Sequence, residues 1–237
     1  MRNAVLWFAS VVLFTTCQQP GDQGEAPAAA PPAAAESTDP TVQSPDHYKV
    51  VLENDRVRVL QIRYAEGEET PMHSHPDAVA LFLEDGTVEM RLPDGTSQQP
   101  AGKAGEVLWT PAGDHSPKAV TPVSVILVEL KDGGGDVAIA EPSATDVAPD
   151  HYKVALENDR VRVLQIQYAA GEEAAMHSHP EGVAVFLADG TAEMRLPDGT
   201  SQQLTAKAGD VLWTPADTHS PKAMTAVSVI QVELKGS

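Results

Sequence analysis

The sequence predicts an all-β protein with two jelly-roll or sandwich domains in tandem, preceded by a disordered N-terminal segment. Three observations predict this class. A long segment recurs almost unchanged, short apolar runs alternate with polar residues at a period of two, and no stretch shows helical spacing of its apolar residues. Turns rich in glycine and proline separate the runs, as in domains built from many short strands.

The repeat relates residues 46–131 to residues 150–235 at an offset of 104 positions. Of the 86 aligned pairs, 67 are identical and 19 differ. A repeat this long is a whole domain rather than a solenoid unit. The intervening residues 132–149 contain three consecutive glycines and are predicted to be a linker. We therefore expect domain 1 over 46–131 and domain 2 over 150–235, with the same fold.

The strand signal within a domain is clearest in the sequence RVRVLQIRY. There Val57 and Val59 lie on one face of the predicted strand, and Leu60 and Ile62 lie on the other. Further short runs follow at VALFLED, TVEMRLP, GEVLWTP and VSVILVELK, each bounded by a turn signal such as Asp-Gly or Pro-Asp-Gly. The pattern predicts several short strands per domain and no long helix.

The first sixteen residues have the features of a signal peptide. Arg2 precedes an apolar run from Ala4 to Phe14, which is too short to span a bilayer. Cys17, the only cysteine, follows directly and resembles the lipid-modified cysteine of bacterial lipoproteins. We expect lipidation at Cys17 and export to the bacterial cell envelope, with an ordinary secretory signal as the alternative.

Residues 17–45 are dominated by Ala, Pro and small polar side chains. Such a segment buries too little apolar surface to offset the entropy of ordering it, so it is predicted to be a disordered tether. The whole chain carries 34 acidic and 16 basic residues, a net charge of −18. A polyanion would be repelled by that charge, so nucleic acid is not expected as a partner.

Four of the eight histidines occur in two copies of the sequence His-Ser-His. On a strand, residues i and i+2 share a face, so His73 and His75 point to the same side, as do His177 and His179. Two imidazoles held in this way form half of a transition-metal site, and the fold must supply a further ligand. The candidates are His115 in domain 1 and His219 in domain 2.

At these positions the sequence resembles the cupin superfamily, almost from end to end of both repeats. The first cupin motif is Gly, five residues, His-X-His, a short gap, Glu, six residues and Gly. The second is Gly, five residues, Pro-X-Gly and then His. The first motif is matched at Gly67, His73, His75 and Gly86 and again at Gly171, His177, His179 and Gly190, and the second at Gly105, Pro111, Gly113 and His115 and in part at Gly209, Pro215 and His219.

The resemblance implies two tandem double-stranded β-helix barrels, each holding a divalent ion such as Fe, Mn, Ni or Zn. One departure bears on the chemistry: the glutamate of the first motif falls at Val79 and Val183, so each site resembles a three-histidine centre. Asp77 and Glu181 could supply an outer oxygen, although a solvated loop acid is the plainer interpretation. If the barrels are cupin barrels, Val79, Leu81 and Leu83 are expected to share the face of the histidines and to form an apolar pocket.

Three-histidine centres resemble those of thiol and diketone-cleaving dioxygenases. The resemblance therefore implies either a dioxygenase-like enzyme acting on a small molecule or a module that binds a metal or small ligand without turnover. No catalytic residue is evident in the sequence. The membrane is expected as a partner only through the anchor at Cys17. A monomer is the default, in which the two domains supply for each other the interface of a cupin dimer.

Overall fold

The computed structural model describes residues 38–131 and 141–235, and these residues belong to one compact unit. The predicted signal peptide, Cys17, residues 17–37 of the first predicted linker and residues 132–140 of the second lie outside the described residues. Two copies of one β barrel account for the unit, and we call them barrel 1 and barrel 2. Within this part of the chain, no helix is long and apolar enough to cross a membrane.

Barrel 1 consists of one short helix and ten strands. The helix α1 covers Pro40–Gln43, and the strands are β1 (Tyr48–Glu53), β2 (Val57–Tyr64), β3 (His73–His75), β4 (Ala78–Phe82), β5 (Gly86–Arg91), β6 (Ser97–Gln98), β7 (Ala101–Gly102), β8 (Val107–Thr110), β9 (Gly113–Ala119) and β10 (Val123–Leu130).

Barrel 2 repeats this order with one strand fewer, because a single strand replaces the two short ones. The helix α2 covers Ala144–Val147, and the strands are β11 (Tyr152–Glu157), β12 (Val161–Tyr168), β13 (His177–His179), β14 (Gly182–Phe186), β15 (Gly190–Arg195), β16 (Ser201–Ala206), β17 (Val211–Thr214), β18 (Asp217–Ala223) and β19 (Val227–Leu234).

Each barrel is made of two antiparallel sheets. In barrel 1 the larger sheet has the order β1-β2-β10-β4-β8 and the smaller one β3-β9-β5-β6, with β7 also paired to β5. Barrel 2 has the orders β11-β12-β19-β14-β17 and β13-β18-β15-β16. Non-consecutive strands are therefore neighbours throughout, as a jelly roll requires. The all-β prediction and the two tandem barrels are confirmed.

The glycines that open the two motifs lie in turns. Gly67 and Gly105 have φ values of +82°, a region that side chains with a Cβ rarely adopt. The backbone can therefore reverse directly before β3 and before β8. This conformation explains why glycine stands at these two positions of the motif.

The larger sheets of the two barrels pack face to face through an apolar cluster. Each barrel contributes seven buried residues, which are Val57, Val59, Val79, Leu81, Ile126, Val128 and Leu130 from barrel 1 and their counterparts 104 positions later from barrel 2. Two reciprocal ion pairs flank it: Arg56 with Glu181 at 2.8 Å and Arg160 with Asp77 at 3.2 Å. Asp77 and Glu181 are thus neither solvated loop acids nor site residues, because they join the barrels.

The expectation that Val79, Leu81 and Leu83 line a pocket with the histidines was wrong. Val79 and Leu81 belong to the cluster between the barrels, and Leu83 packs against it. The interior positions of β4 are instead Ala78, Ala80 and Phe82. Pro76 and Asp77 separate β3 from β4, so the alternation of faces does not run through from His75 to Val79.

The folded unit also begins before the domain boundaries that the repeat suggested. The carbonyl oxygen of Thr38 accepts a hydrogen bond from Ser74 N at 3.0 Å, and Asp39 caps α1 and pairs with Arg58. In barrel 2, the carbonyl oxygen of Pro142 accepts from Ser178 N at 2.8 Å. Residues 38–45 and 141–149 therefore form structure against the barrels, since backbone and side-chain partners compensate for the entropy of ordering them.

Candidate metal centres

Strand pairing brings three histidines together in each barrel. His73 on β3 lies directly opposite His115 on β9, and His177 on β13 lies opposite His219 on β18. His75 lies on the same strand and face as His73, and His179 on the same strand and face as His177. In each group the possible ligand atoms all lie within 4.8 Å of one another. The six histidines predicted as ligands thus form two groups, each of a size that can hold one metal ion.

The imidazoles of barrel 1 are shielded from water. His73 is 1% exposed, and burial lowers its pKa to about 4. Burial also lowers the pKa of His115 to about 3. In barrel 2, burial lowers the pKa of His177 to about 4. These rings are therefore neutral at pH 7, which leaves a nitrogen lone pair free for a metal ion.

Hydrogen bonds at Nδ1 fix which nitrogen two of the three rings present in barrel 1. His73 Nδ1 donates to the carbonyl oxygen of Pro71 at 2.8 Å, and His75 Nδ1 donates to Glu129 Oε1 at 2.6 Å. Because the proton is on Nδ1, Nε2 is the atom that can coordinate an ion. Ligand histidines in metal sites are oriented in the same way by carbonyl or carboxylate acceptors.

Barrel 2 repeats the arrangement and adds one carboxylate. His177 Nδ1 donates to the carbonyl oxygen of Ala175 at 2.7 Å, and His179 Nδ1 donates to Glu233 Oε1 at 2.7 Å. His219 Nδ1 donates to Asp217 Oδ2 at 3.0 Å, a contact that barrel 1 cannot make because Gly113 stands at the equivalent position.

Glu129 and Glu233 bond directly to the histidine groups, and the sequence analysis missed them. Glu129 is 1% exposed and lies between His75 and Arg58, whose Nε donates to the second carboxylate oxygen. Burial alone would raise the pKa of Glu129, but the hydrogen bonds from His75 and Arg58 outweigh it and lower the pKa. The signal was present in VSVILVELK, where Glu129 follows three apolar residues at a spacing of two on the interior face.

A tyrosine hydroxyl was the second missed feature. Tyr48 Oη lies 3.0 Å from His73 Nε2, and Tyr152 Oη lies 3.0 Å from His177 Nε2. Burial raises the pKa of both phenols well above the ordinary value, so they keep their protons. Each hydroxyl donates to the Nε2 lone pair that a metal ion would take, so coordination at that nitrogen would release the hydroxyl toward the centre. His47 and His151, beside these tyrosines in sequence, lie outside the groups and stack on Tyr64 and Tyr168.

The donor set suits a divalent transition metal. Neutral imidazoles are ligands for Zn, Fe, Ni and Cu, and three of them leave coordination positions open. The interior positions of β4, from Ala78 to Phe82, carry no carboxylate that could take the place of the missing motif glutamate. Glu129 does not replace it, because its two oxygens are taken by His75 and Arg58. The centres are therefore three-histidine sites, each with a buried carboxylate behind one ligand.

No protein-family model and no curated relative matches the chain. Solved structures do match. One is an oxalate decarboxylase from Bacillus subtilis studied for its Mn(II) centres, with 13% identity and a TM-score of 0.56, covering 78% of this chain and 70% of that one. Another is a cupin 2 conserved barrel domain protein from Leptotrichia buccalis, with 14% identity and a TM-score of 0.50, covering 79% of this chain and 88% of that one.

Fold and site together define a protein of two cupin barrels, each with a group of three histidines that fits a metal ion. The chain therefore has the bicupin fold, and the resemblance drawn from the two motifs is confirmed.

Proposed function

We propose that each barrel binds one divalent transition metal ion through its three histidines, and that the protein is a dioxygenase-like enzyme acting on a small molecule. The observation that carries metal binding is the convergence of three imidazoles in each barrel, of which two in barrel 1 and all three in barrel 2 are oriented by a hydrogen bond at Nδ1. A bound divalent ion would supply Lewis acidity to oxygen atoms at its open positions.

The residues around the ion have separable tasks in this proposal. Glu129 and Glu233 hold one ligand histidine each in the orientation that presents Nε2. Tyr48 and Tyr152 place a proton-bearing hydroxyl within 3.0 Å of a ligand nitrogen, close enough to hydrogen-bond a bound substrate. No catalytic acid or base is evident in the sequence, and in this proposal these hydroxyls are the acid. They favour an enzyme over a module that only stores a ligand.

Fe, Mn, Ni and Zn remain the candidate ions, and the Mn(II) centres of the Bacillus subtilis relative support including Mn in the test. We also place the protein in the bacterial cell envelope, held by a lipid on Cys17. The apolar run from Ala4 to Phe14 and the single cysteine after it support this location. Labelling with a radioactive fatty acid should mark the wild-type chain and leave Cys17→Ala unlabelled.

The test of metal binding is the metal content of the full chain purified without chelators. Two ions per chain are expected, falling to one in His73→Ala and to one in His177→Ala. His47→Ala and His151→Ala are matched controls, because these histidines lie outside the groups and their replacement should leave two ions. Metal at background level in the wild type would refute the proposal.

An oxygen electrode then separates the enzyme from the binding module. Oxygen consumption with pentane-2,4-dione or a small thiol, lost on removal of the metal, is the expected result. Metal bound at two per chain with no oxygen consumption on this panel would favour the binding module.

A further inference from the structure

Barrel 2 contains a cavity of about 410 Å³ beside its histidine group. His179 and His219 form part of its wall, and Phe186, Leu212 and Val229 are among its apolar lining residues. A cavity of this size is within the range that holds a small organic ligand. We call it the barrel 2 chamber.

The interiors of the two barrels are packed differently. The apolar residues inside barrel 1 form one continuous cluster that includes Val88 and Leu127. Inside barrel 2 they form two clusters, one containing Tyr168 and the other Phe186, and Ile166 and Val227 pack against both. These two bridging residues are partly exposed, whereas their counterparts Ile62 and Val123 are buried in barrel 1. The wall of the chamber draws residues from both clusters. The chamber therefore lies where Ile166 and Val227 are less tightly covered than their counterparts in barrel 1, and both residues line it.

The 19 exchanges between the repeats include three at interior positions of β14, β15 and β19. Ala192 stands where barrel 1 has Val88, which removes two methyl groups from the interior. Gln231 stands where barrel 1 has Leu127, and Gly182 where barrel 1 has Ala78. A Cβ on Gly182 would lie 2.2 Å from the carbonyl oxygen of Val232 and 2.9 Å from Gln231 Nε2, so the backbone of β19 is the main obstacle to a side chain here and the Gln231 amide is the second.

Gln231 brings an amide into an otherwise apolar wall. The residue is 5% exposed and lines the chamber, and its Nε2 donates to Thr214 Oγ1 at 2.7 Å. Among the described residues, this is the one hydrogen bond that the Gln231 side chain makes. A buried amide has two donors and two acceptor positions, so hydrogen-bonding capacity remains for a ligand.

Tyr168 supplies a second unused polar group. In barrel 1 the equivalent hydroxyl, on Tyr64, bonds to Tyr48 at 2.7 Å and to Thr70 at 2.8 Å. Barrel 2 has Ala174 in place of Thr70, so the buried Tyr168 hydroxyl loses that partner and has only the Tyr152 hydroxyl beside it, without a hydrogen bond of good geometry among the described residues. Tyr168 also lines the chamber. Buried polar groups are nearly always satisfied, so an unpaired one on a cavity wall points to a ligand.

We propose that the two barrels are not equivalent: the barrel 2 chamber binds the substrate, and Gln231 determines its specificity. The ligand class is a small uncharged molecule with an apolar body and a hydroxyl or carbonyl group. Arg162 is already paired with Glu233, and Asp217 adds a negative charge to the wall, so a multiply charged anion fits poorly. This inference rests on the proposed function, because it assigns the substrate to one of the two metal centres.

The test uses pentane-2,4-dione as the probe and methyl-labelled full chain, in zinc-loaded and metal-free forms. Methyl resonances of Ala184 and Ala192 report on barrel 2, and those of Ala80 and Val88 report on barrel 1. Saturable shifts confined to barrel 2, with one probe per chain, are expected. Equal shifts in both barrels, or no saturable shift of the barrel 2 methyls in either form, would overturn the inference.

Two variants test the assignment of specificity. Gln231→Met keeps the volume but loses the amide, and should weaken probe binding by about fivefold, the equivalent of one hydrogen bond. Ala192→Val installs the barrel 1 residue and should weaken it further by filling the chamber. The matched control Val88→Ala makes the opposite exchange in barrel 1 and should leave the affinity at barrel 2 unchanged. Unchanged affinity in Gln231→Met would remove Gln231 from the proposal.

The zinc content of the same samples separates the two possible failures. Two zinc ions per chain without binding in the chamber would refute this inference alone. If the chain takes up no zinc on loading and the barrel 2 methyls still shift with the probe, the proposed metal centres would be refuted and the chamber would stand.

Discussion

Replacing the buried glutamate of each barrel with glutamine should have unequal effects on stability. In barrel 2, Glu233 is fully buried and bonds to Arg162 Nε at 2.6 Å and to His179 Nδ1 at 2.7 Å. Glu129 makes the same pair of contacts in barrel 1. The difference lies in the arginine, because Arg58 also pairs with Asp39, whereas the equivalent contact of Arg162 is the neutral hydroxyl of Ser143 at 3.3 Å.

The magnitudes follow from what each variant leaves behind. Glu233→Gln leaves Arg162, 5% exposed, as a buried cation whose acidic partner in the described structure is gone. Breaking such a buried pair costs about 3–5 kcal/mol. Glu129→Gln leaves Arg58 paired with Asp39, so the loss is nearer to that of one charged hydrogen bond, about 1.5–3 kcal/mol. The expected difference is about 2 kcal/mol, or about 4–8 °C in Tm for a unit of this size.

The assay is thermal unfolding of the metal-free full chain, followed by circular dichroism. Glu53→Gln is the control, since Glu53 forms an exposed ion pair with Lys131 and its loss should change stability by less than about 1 kcal/mol. Equal shifts in the two glutamine variants, or a larger shift for Glu129→Gln, would refute the reasoning. Both variants should also weaken metal binding at their own barrel by about 10–100-fold, because the acceptor of a ligand histidine loses its negative charge.

Three further predictions concern single side chains. Tyr152→Phe should keep two metal ions per chain and lower oxygen consumption by about 100-fold, since it removes a proton-bearing hydroxyl; unaltered consumption would exclude that role. Gly102→Ala should destabilise the chain by about 1–3 kcal/mol in urea titrations, because its Cβ would lie 2.4 Å from the Phe82 ring. Asp39→Ser should lower stability by about 1 kcal/mol at pH 7 through loss of the Arg58 pair. Burial would raise the pKa of Asp39, but its hydrogen bonds outweigh burial and lower the pKa in the folded state. The stability that Asp39 contributes is therefore present above about pH 4 and should disappear as the pH falls through the folded pKa. A stability difference that does not depend on pH would contradict this.

Much of the fold and the paired histidines of each site could be predicted from short-range patterns in the sequence. Alternation with a period of two located the long strands, and the spacing of His73 and His75 placed both rings on one face. His115 was reached through motif spacing, and the structure sets it opposite His73. These features were predictable because they depend on residues that are close in the chain or on a known motif.

The residues that surround the ligands were not predictable in the same way. Glu129 reaches His75 across 54 positions, and Tyr48 reaches His73 across 25. Their roles depend on which strands become neighbours, and strand order cannot be read from periodicity. The error at Val79 has a local cause, since two residues between β3 and β4 reverse the face on which each side chain lies.

The interface between the barrels explains how the two sites could diverge. At the seven core positions of that interface, only Leu81 and Val185 differ between the copies. The reciprocal ion pairs show that equivalent residues meet across the interface, so a change in one copy alters the surface that the other copy faces. An exchange inside one barrel, such as Val88 against Ala192, has no such consequence. The interiors can therefore differ while the shared interface stays matched, so the interior of one barrel can change without disturbing its contact with the other.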